Sequence, residues 1–168
     1  NNQNPVGPGG QDGGLHGLSI RDVNIGRFGD ISIKDTWSDG LLFRGGAIDI
    51  NIGCTDVEVS NVHVNNAGRN GCSVGSGRGI SFTGCSFRNS SRTAPLAGVD
   101  IEPDQSYQRV EEISFTNCDF SDNAGPGFIA QKPGGVIENI TLRGCTASGN
   151  TSAAIAFGGL STTIVSKH

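Results

Sequence analysis

Two carboxylates stand two residues apart in Gly98-Val99-Asp100-Ile101-Glu102-Pro103. Side chains alternate along an extended strand, so Val99 and Ile101 turn inward while Asp100 and Glu102 share the outer face, about 6.5–7 Å apart at the backbone. Side-chain rotation brings the carboxyls to about 5–9 Å, the range over which paired acids hydrolyse glycosidic bonds. That chemistry needs one acid protonated and the other ionised, and mutual repulsion separates their proton affinities in the required sense. Asp100 and Glu102 are therefore the candidate catalytic pair. The competing reading is structural: a solvated pair that ends a strand at Pro103, with Asp100 bonded to a loop amide.

In-phase repeats, set out below, place Ser73 and Ile129 beside Asp100. They place Gln131 beside Glu102, with Lys132 just beyond, and put Arg44 two rungs away on the same face. Segments 88–97 and 103–110 flank the pair and exceed a minimal turn, so they are expected to wall a groove. They supply Arg88, Arg92, Asp104, Tyr107 and Arg109. The candidate substrate-binding set is Arg44, Ser73, Arg92, Asp104, Tyr107, Gln131 and Lys132. Tyr107, the single tyrosine, can stack on a sugar ring or donate a proton, and the basic residues suit an acidic polysaccharide.

Other chemistry-bearing residues read as structural. His63 lies between Val62 and Val64 and points outward, in a column with Asn24, Ser86, Asp119 and Thr146. His16 precedes the first rung and His168 is terminal. Trp37 falls in the long interval 26–39 and is expected to pack it onto the body. Gly75-Ser76-Gly77-Arg78-Gly79 is a tight corner, with no strand-to-helix context for a phosphate loop. The acids form no calcium repeat. No metal site and no cofactor are expected, and calcium has no motif behind it.

The elements that must position these residues follow from composition and repeats. The chain has 168 residues, the size of one domain, with 1–13 read as an irregular lead-in to a single domain over 1–168. Glycine is 27 of 168, about twice the usual share. Seven Leu, five Glu, three Lys and no Met argue against a helical bundle and for strands joined by turns. The missing Met, initiator included, suggests a piece of a longer chain. No run of 18 apolar residues is present to span a membrane, so membrane insertion is not expected. Twelve Lys+Arg against sixteen Asp+Glu, with no basic block, make nucleic acid an unexpected partner.

One pattern recurs: apolar, x, apolar, x, x, apolar, x, apolar. It reads Leu18, Ile20, Val23, Ile25; Val57, Val59, Val62, Val64; Ile80, Phe82, Cys85, Phe87; Ile113, Phe115, Cys118, Phe120; and Ile140, Leu142, Cys145, Ala147. These copies start 39, 23, 33 and 27 residues apart. The alternation in each half is strand-like, and the extra central residue is a bend. A second series starts at Leu41, Cys72, Val99, Phe128 and Ile155, at intervals of 31, 27, 29 and 27. Between the two series lie Asn66, Asn89, Asn123 and Asn150, suited to left-handed corners. Two strands around a bend, a third strand, and corners at Asn and Gly predict an all-β chain: a parallel β-solenoid of about five rungs, which the resemblance given below makes a right-handed parallel β-helix. An antiparallel sandwich would explain the strand density but not the in-phase copies.

Stacking also assigns the cysteines. Cys85, Cys118 and Cys145 share one repeat position with Val23 and Val62 and form an inward column, and Cys72 is inward in the second series. Free stacked thiols suggest folding in a reducing cytoplasm before release.

These repeats resemble the right-handed parallel β-helix proteins of the pectate-lyase-like superfamily over residues 14 to 165. The most specific stretch, Thr93 to Pro103, is similar to a Gly-hydrophobic-Asp-Ile-Glu-Pro segment of bacterial and phage β-helix proteins. The resemblance implies proteins that cleave or epimerise acidic polysaccharides, or that form the shaft of trimeric phage tailspikes. The Asp-Pro-His triplet of mannuronan epimerases is absent, since Ile101 follows Asp100. The expectation is a polysaccharide hydrolase or lyase on a virion tail or cell surface, with polysaccharide as substrate or receptor and a homotrimer as the assembly. The alternative is a non-catalytic receptor-binding segment of a tail fibre or other β-helical surface protein.

Overall fold

A computed structural model of the chain describes residues 15–45, 53–131, 133–158 and 165–167. In chain order the strands are β1 (Leu18–Arg21), β2 (Asn24–Lys34), β3 (Leu41–Arg44), β4 (Cys54–Asn65), β5 (Cys72–Val74), β6 (Gly77–Thr83) and β7 (Ser86–Arg88). They continue as β8 (Val99–Ile101), β9 (Arg109–Thr116), β10 (Phe128–Gln131), β11 (Val136–Arg143), β12 (Ile155–Gly158) and β13 (Val165–Lys167). One sheet runs β1-β3-β5-β8-β10-β12 and the other β13-β11-β9-β6-β4-β2, with β7 continuing β6 along β4. Every ladder among the described residues is parallel. The protein is an all-β parallel solenoid of about five turns, with no helix among the described residues. The sandwich is excluded.

The bend inside each long strand has a specific cause. Asp30, Asn61, Gly84, Asn117 and Gly144 all have φ between 50° and 63°, and the register stacks them. One left-handed residue shifts the alternation by a single position, so the apolar pairs on both sides stay inside. Asp and Asn tolerate that backbone, and Gly has no Cβ to oppose it. A second left-handed column runs Asp35, Asn66, Asn89, Asp122 and Gly149. The corner residues there are Asp122 and Gly149, not Asn123 and Asn150. Those two lie one position later, where Asn123 is buried and donates from Nδ2 to the Phe87 and Phe120 carbonyls.

The register also corrects the first repeat. Gly26, Phe28, Ile31 and Ile33 pair with Val57, Val59, Val62 and Val64, so β2 is the first rung of that series. Leu18–Arg21 belongs to the other sheet, paired with Leu41–Arg44. With this shift the 39-residue interval becomes 31, in step with the second series. The thiol column is therefore continued by Ile31, not Val23, and His63 stacks with Ser32, not Asn24. Interval 26–39 is mostly β2 and not a loop. Apolar patterning misread this turn because Gly26 replaces an apolar residue while Val23 and Ile25 imitate one.

A third column contains a misfit. Ile25 stacks with Asp56, Gly79, Glu112 and Asn139, all at φ between 53° and 67°. Ile25 has φ 59° and is 78% exposed. A Cβ in this conformation costs about 1–2 kcal/mol, and the exposed side chain gains no packing in return. Ile25→Asn is expected to raise the unfolding midpoint by about 2–4 °C, measured by thermal melting against wild type.

The interior is a phenylalanine stack. Phe82 and Phe115 lie face to face at 4.5 Å and 4°, and Phe87 stacks on Phe120 at 6.4 Å. Phe43 meets Phe82 edge-on at 5.6 Å, and Phe115 meets Phe128 likewise. Cys54, Cys72, Cys85 and Cys118 are buried and Cys145 is half-buried, all as free thiols. Burial pushes the Cys72 thiol well up, and Cys145 and Cys85 on either side push Cys118 up. These sulfurs pack the core. Just before β8, a Cβ on Gly98 would sit 2.5 Å from the Gly127 carbonyl oxygen, so only glycine lets this turn approach the next at the stretch carrying Asp100.

Candidate functional site

Strand β8 lies between β5 and β10, with Asp100 paired to Ser73 and Ile129. Val99 and Ile101 are fully buried in the core, and Asp100 leaves the opposite face of the sheet. There it lines a polar cleft of about 630 Å³. Glu102, one step past the strand, lines the same cleft, as do Ser73, Arg44 and Asp104. Gln131 is in register with Glu102 and donates from Nε2 to Glu102 Oε1 at 3.0 Å.

The remaining expected residues fall elsewhere. Arg92 lies over the Trp37 ring, 5.4 Å from its centroid. Tyr107 is 47% exposed, and neither it nor Arg92 lines the cleft. Segment 88–97 is not a wall, because the amides of Ser91, Arg92 and Thr93 bond to the Ala67 and Gly68 carbonyls and carry the segment towards Trp37. Segment 103–110 does supply a wall, through Asp104, Gln105 and Gln108. Arg88 pairs with Asp122 and Asp119, and Arg109 with Glu111. Lys132 lies outside the described residues.

Sequence reasoning missed Arg69, Asp39, Asn70 and His16. Asp39 and Asn70 occupy equivalent places, each just before the glycine that opens a second-series strand. Asp39 Oδ1 accepts from the Asn70 amide at 3.1 Å, and Asn70 Oδ1 accepts from the Ala97 amide at 3.0 Å. Each side chain thus ties its turn to the next. Asn70 Nδ2 also donates to Ser73 Oγ and Asp100 Oδ2, both at 3.1 Å. Arg69 holds the acids together: Nη1 is 3.4 Å from Asp39 Oδ2, and Nη2 is 3.4 Å from Glu102 Oε2 and 3.9 Å from Asp100 Oδ2. His16, read from the sequence only as preceding the first rung, has its Nδ1 3.5 Å from Asp39 Oδ2 at the same cleft. The available signal was the polar pair Asp39 and Asn70 in a register set by apolar residues. Arg69 had none, since its role depends on where its long side chain turns.

The electrostatics follow from three acids around one guanidinium. Burial raises the Asp100 carboxyl to about 7, the Glu102 charge adds to the rise, and Arg69 opposes it. Burial also raises Glu102, with Asp104 adding, while Arg69 pulls it back. Asp39 is raised by burial against the pull of Arg69 and His16. Asp100 is 1% exposed and Glu102's side chain is 24% exposed, so Glu102 is the member within reach of a ligand. The two acids face one guanidinium, Arg69 Nη2, at 3.9 Å for Asp100 and 3.4 Å for Glu102. Asp100 is thus the acid whose proton is held towards neutral pH, and Glu102 is the acid open to the cleft.

Among the described residues no group of His, Cys, Asp and Glu is arranged to hold a metal ion. No family model matches this chain, and no curated protein or solved structure matches it, so what the molecule carries is its own geometry: a parallel β-solenoid with an acid-lined cleft.

Proposed function

We propose that this solenoid binds a polysaccharide along the cleft and cleaves it by general acid–base catalysis at Asp100 and Glu102. One observation carries the reading: two acids, Asp100 and Glu102, border a 630 Å³ polar cleft, with Arg69 facing both and Asn70 bonded to Asp100. In hydrolysis Glu102 gives its proton to the glycosidic oxygen as that C–O bond breaks, water adds its oxygen to the anomeric carbon, and the proton this water loses returns to Glu102 by way of Asp100. Arg69 and Gln131 keep Glu102 in place, and Asp39 anchors the other nitrogen of Arg69. Perturbed acids in a cleft with neighbouring donors favour a functional site over a solvated surface.

The likeness of the Thr93–Pro103 segment to pectate-lyase-like β-helices supports the same substrate class, and with it a bacterial surface glycan, a tailspike setting and a trimer. A second reading, a receptor-binding module without turnover, is favoured by the near-complete burial of Asp100.

Capsular, O-antigen and uronate polysaccharides decide between the readings. The expected result is new reducing ends from at least one of them, with an unsaturated-uronate absorbance if cleavage is by elimination. Activity lost in Glu102→Gln with folding intact supports the assignment. Binding without product in wild type refutes cleavage and leaves the receptor module.

A further inference from the structure

Arg21 ends β1 and Arg44 ends β3, and the register sets them side by side, one strand spacing or about 4.8 Å apart at the backbone. Both line the cleft. Like charges placed opposite each other on neighbouring strands repel. Yet no carboxylate among the described residues pairs with either, whereas Arg27, Arg69, Arg88 and Arg109 each have one. Arg44 Nε is moreover buried with no hydrogen-bond acceptor among the described residues. Buried donors are normally satisfied, so this one is suited to an acceptor from outside the chain.

The next position in the column sharpens the case. Phe43 pairs with Val74 and Val74 with Ile101, so the line from Arg21 and Arg44 runs on through Gly75 to Glu102. The Gly75 amide bonds to the Phe43 carbonyl and the Glu102 amide to the Val74 carbonyl, which continues the ladder along that line. A Cβ at Gly75 would meet nothing nearer than 3.8 Å, so glycine is not required there by crowding. What its missing side chain leaves is a slot, two strand spacings long (about 9.6 Å at the backbone), between the arginines and the acid pair.

We propose that Arg21 and Arg44 form an anion subsite for one negatively charged substituent, a carboxylate or a sulfate ester, on the sugar next to the one at Glu102. The sugar chain passes between them through the gap at Gly75. This rests on the glycan reading of the cleft and adds to it a charge requirement and a direction along the solenoid axis. A guanidinium pair can take such a group by two parallel N–H···O bonds on each arginine.

The test has two arms that separate this inference from the cleavage reading. Inorganic sulfate is titrated while the arginine Nε–H resonances are followed by NMR. Saturable shifts at Arg21 and Arg44 are expected, at least tenfold weaker in Arg44→Gln and unchanged in Arg27→Gln. In the second arm a uronate oligosaccharide, its carboxyl-reduced counterpart and a sulfated oligosaccharide are compared by calorimetry at low and high salt. Tighter binding of a charged oligosaccharide than of the reduced one, lost in Arg44→Gln and in Gly75→Leu but kept in Asp100→Asn, supports the subsite. Which charged form binds identifies the substituent. Gly75→Ala, which adds only the Cβ, is the control for folding. No saturable sulfate shift, or equal binding of charged and reduced oligosaccharides, overturns it. Sulfate saturation with no glycan binding supports the anion site and overturns the glycan reading. Charged-glycan binding without product supports the subsite while the cleavage reading fails.

Discussion

Asp100→Asn gives a protein that is more stable than wild type at pH 8 and turns over substrate far more slowly. The sign follows from linkage. The folded protein holds the Asp100 proton up to about pH 7, whereas an unfolded chain releases it near 3.8. Between those values the folded state binds more protons, so stability falls as pH rises through the folded value. The span corresponds to about 4 kcal/mol, full below pH 4 and lost above pH 7. An asparagine keeps the shape of the protonated acid, and its Oδ1 can accept from Asn70 Nδ2 as the Asp100 carboxyl does. It cannot ionise. Denaturant unfolding should therefore show the variant about 2–4 kcal/mol more stable at pH 8 and close to wild type at pH 4.5. Loss of the transferable proton should lower kcat by about 10²–10⁴. Equal stability curves for variant and wild type across this range would show that Asp100 holds no proton in the folded protein at neutral pH.

Arg69→Met is the second large effect, and its sign is opposite. Methionine replaces the length and apolar stem of Arg69 but removes the cation that faces Asp39, Asp100 and Glu102. Asp39 and Asp100 are each 1% exposed, so water cannot take over. Removing one partner from a buried ionic cluster costs about 3–5 kcal/mol at neutral pH. Arg69 lowers the proton affinity of all three acids, so without it each holds its proton to higher pH. The cost therefore shrinks as pH falls and the acids neutralise. Unfolding curves at pH 8, 6.5 and 4.5 should show a gap to wild type that closes towards pH 4.5. A gap independent of pH would mean that Arg69 acts through packing alone. Combining it with Asp100→Asn should recover part of the loss at pH 8, because one of the uncompensated charges is gone.

The periodic parts of the molecule were legible in the chain. Val57 through Ala147 fix one sheet, and the starts at Leu41, Cys72, Val99, Phe128 and Ile155 fix the other, because stacking in parallel forces the same side chain inward on every turn. The same logic placed Ser73 beside Asp100 and Gln131 beside Glu102. It failed at the first turn, where Gly26 breaks the pattern and exposed Ile25 imitates it. It also failed for segment 88–97, since loop length does not tell which corner a loop leaves from or what its amides bond to.

What the sequence by itself determined is therefore the solenoid, its register over most turns and the outward pairing of Asp100 with Glu102, all consequences of a period that repeats along the backbone. What only the tertiary structure decided is how that pair is held. Arg69 reaches it from another turn, held by Asp39, which His16 faces in turn, and a long side chain's direction carries no periodic signal. The burial that raises the Asp100 carboxyl likewise comes from neighbours that meet it only after the chain has wound on itself.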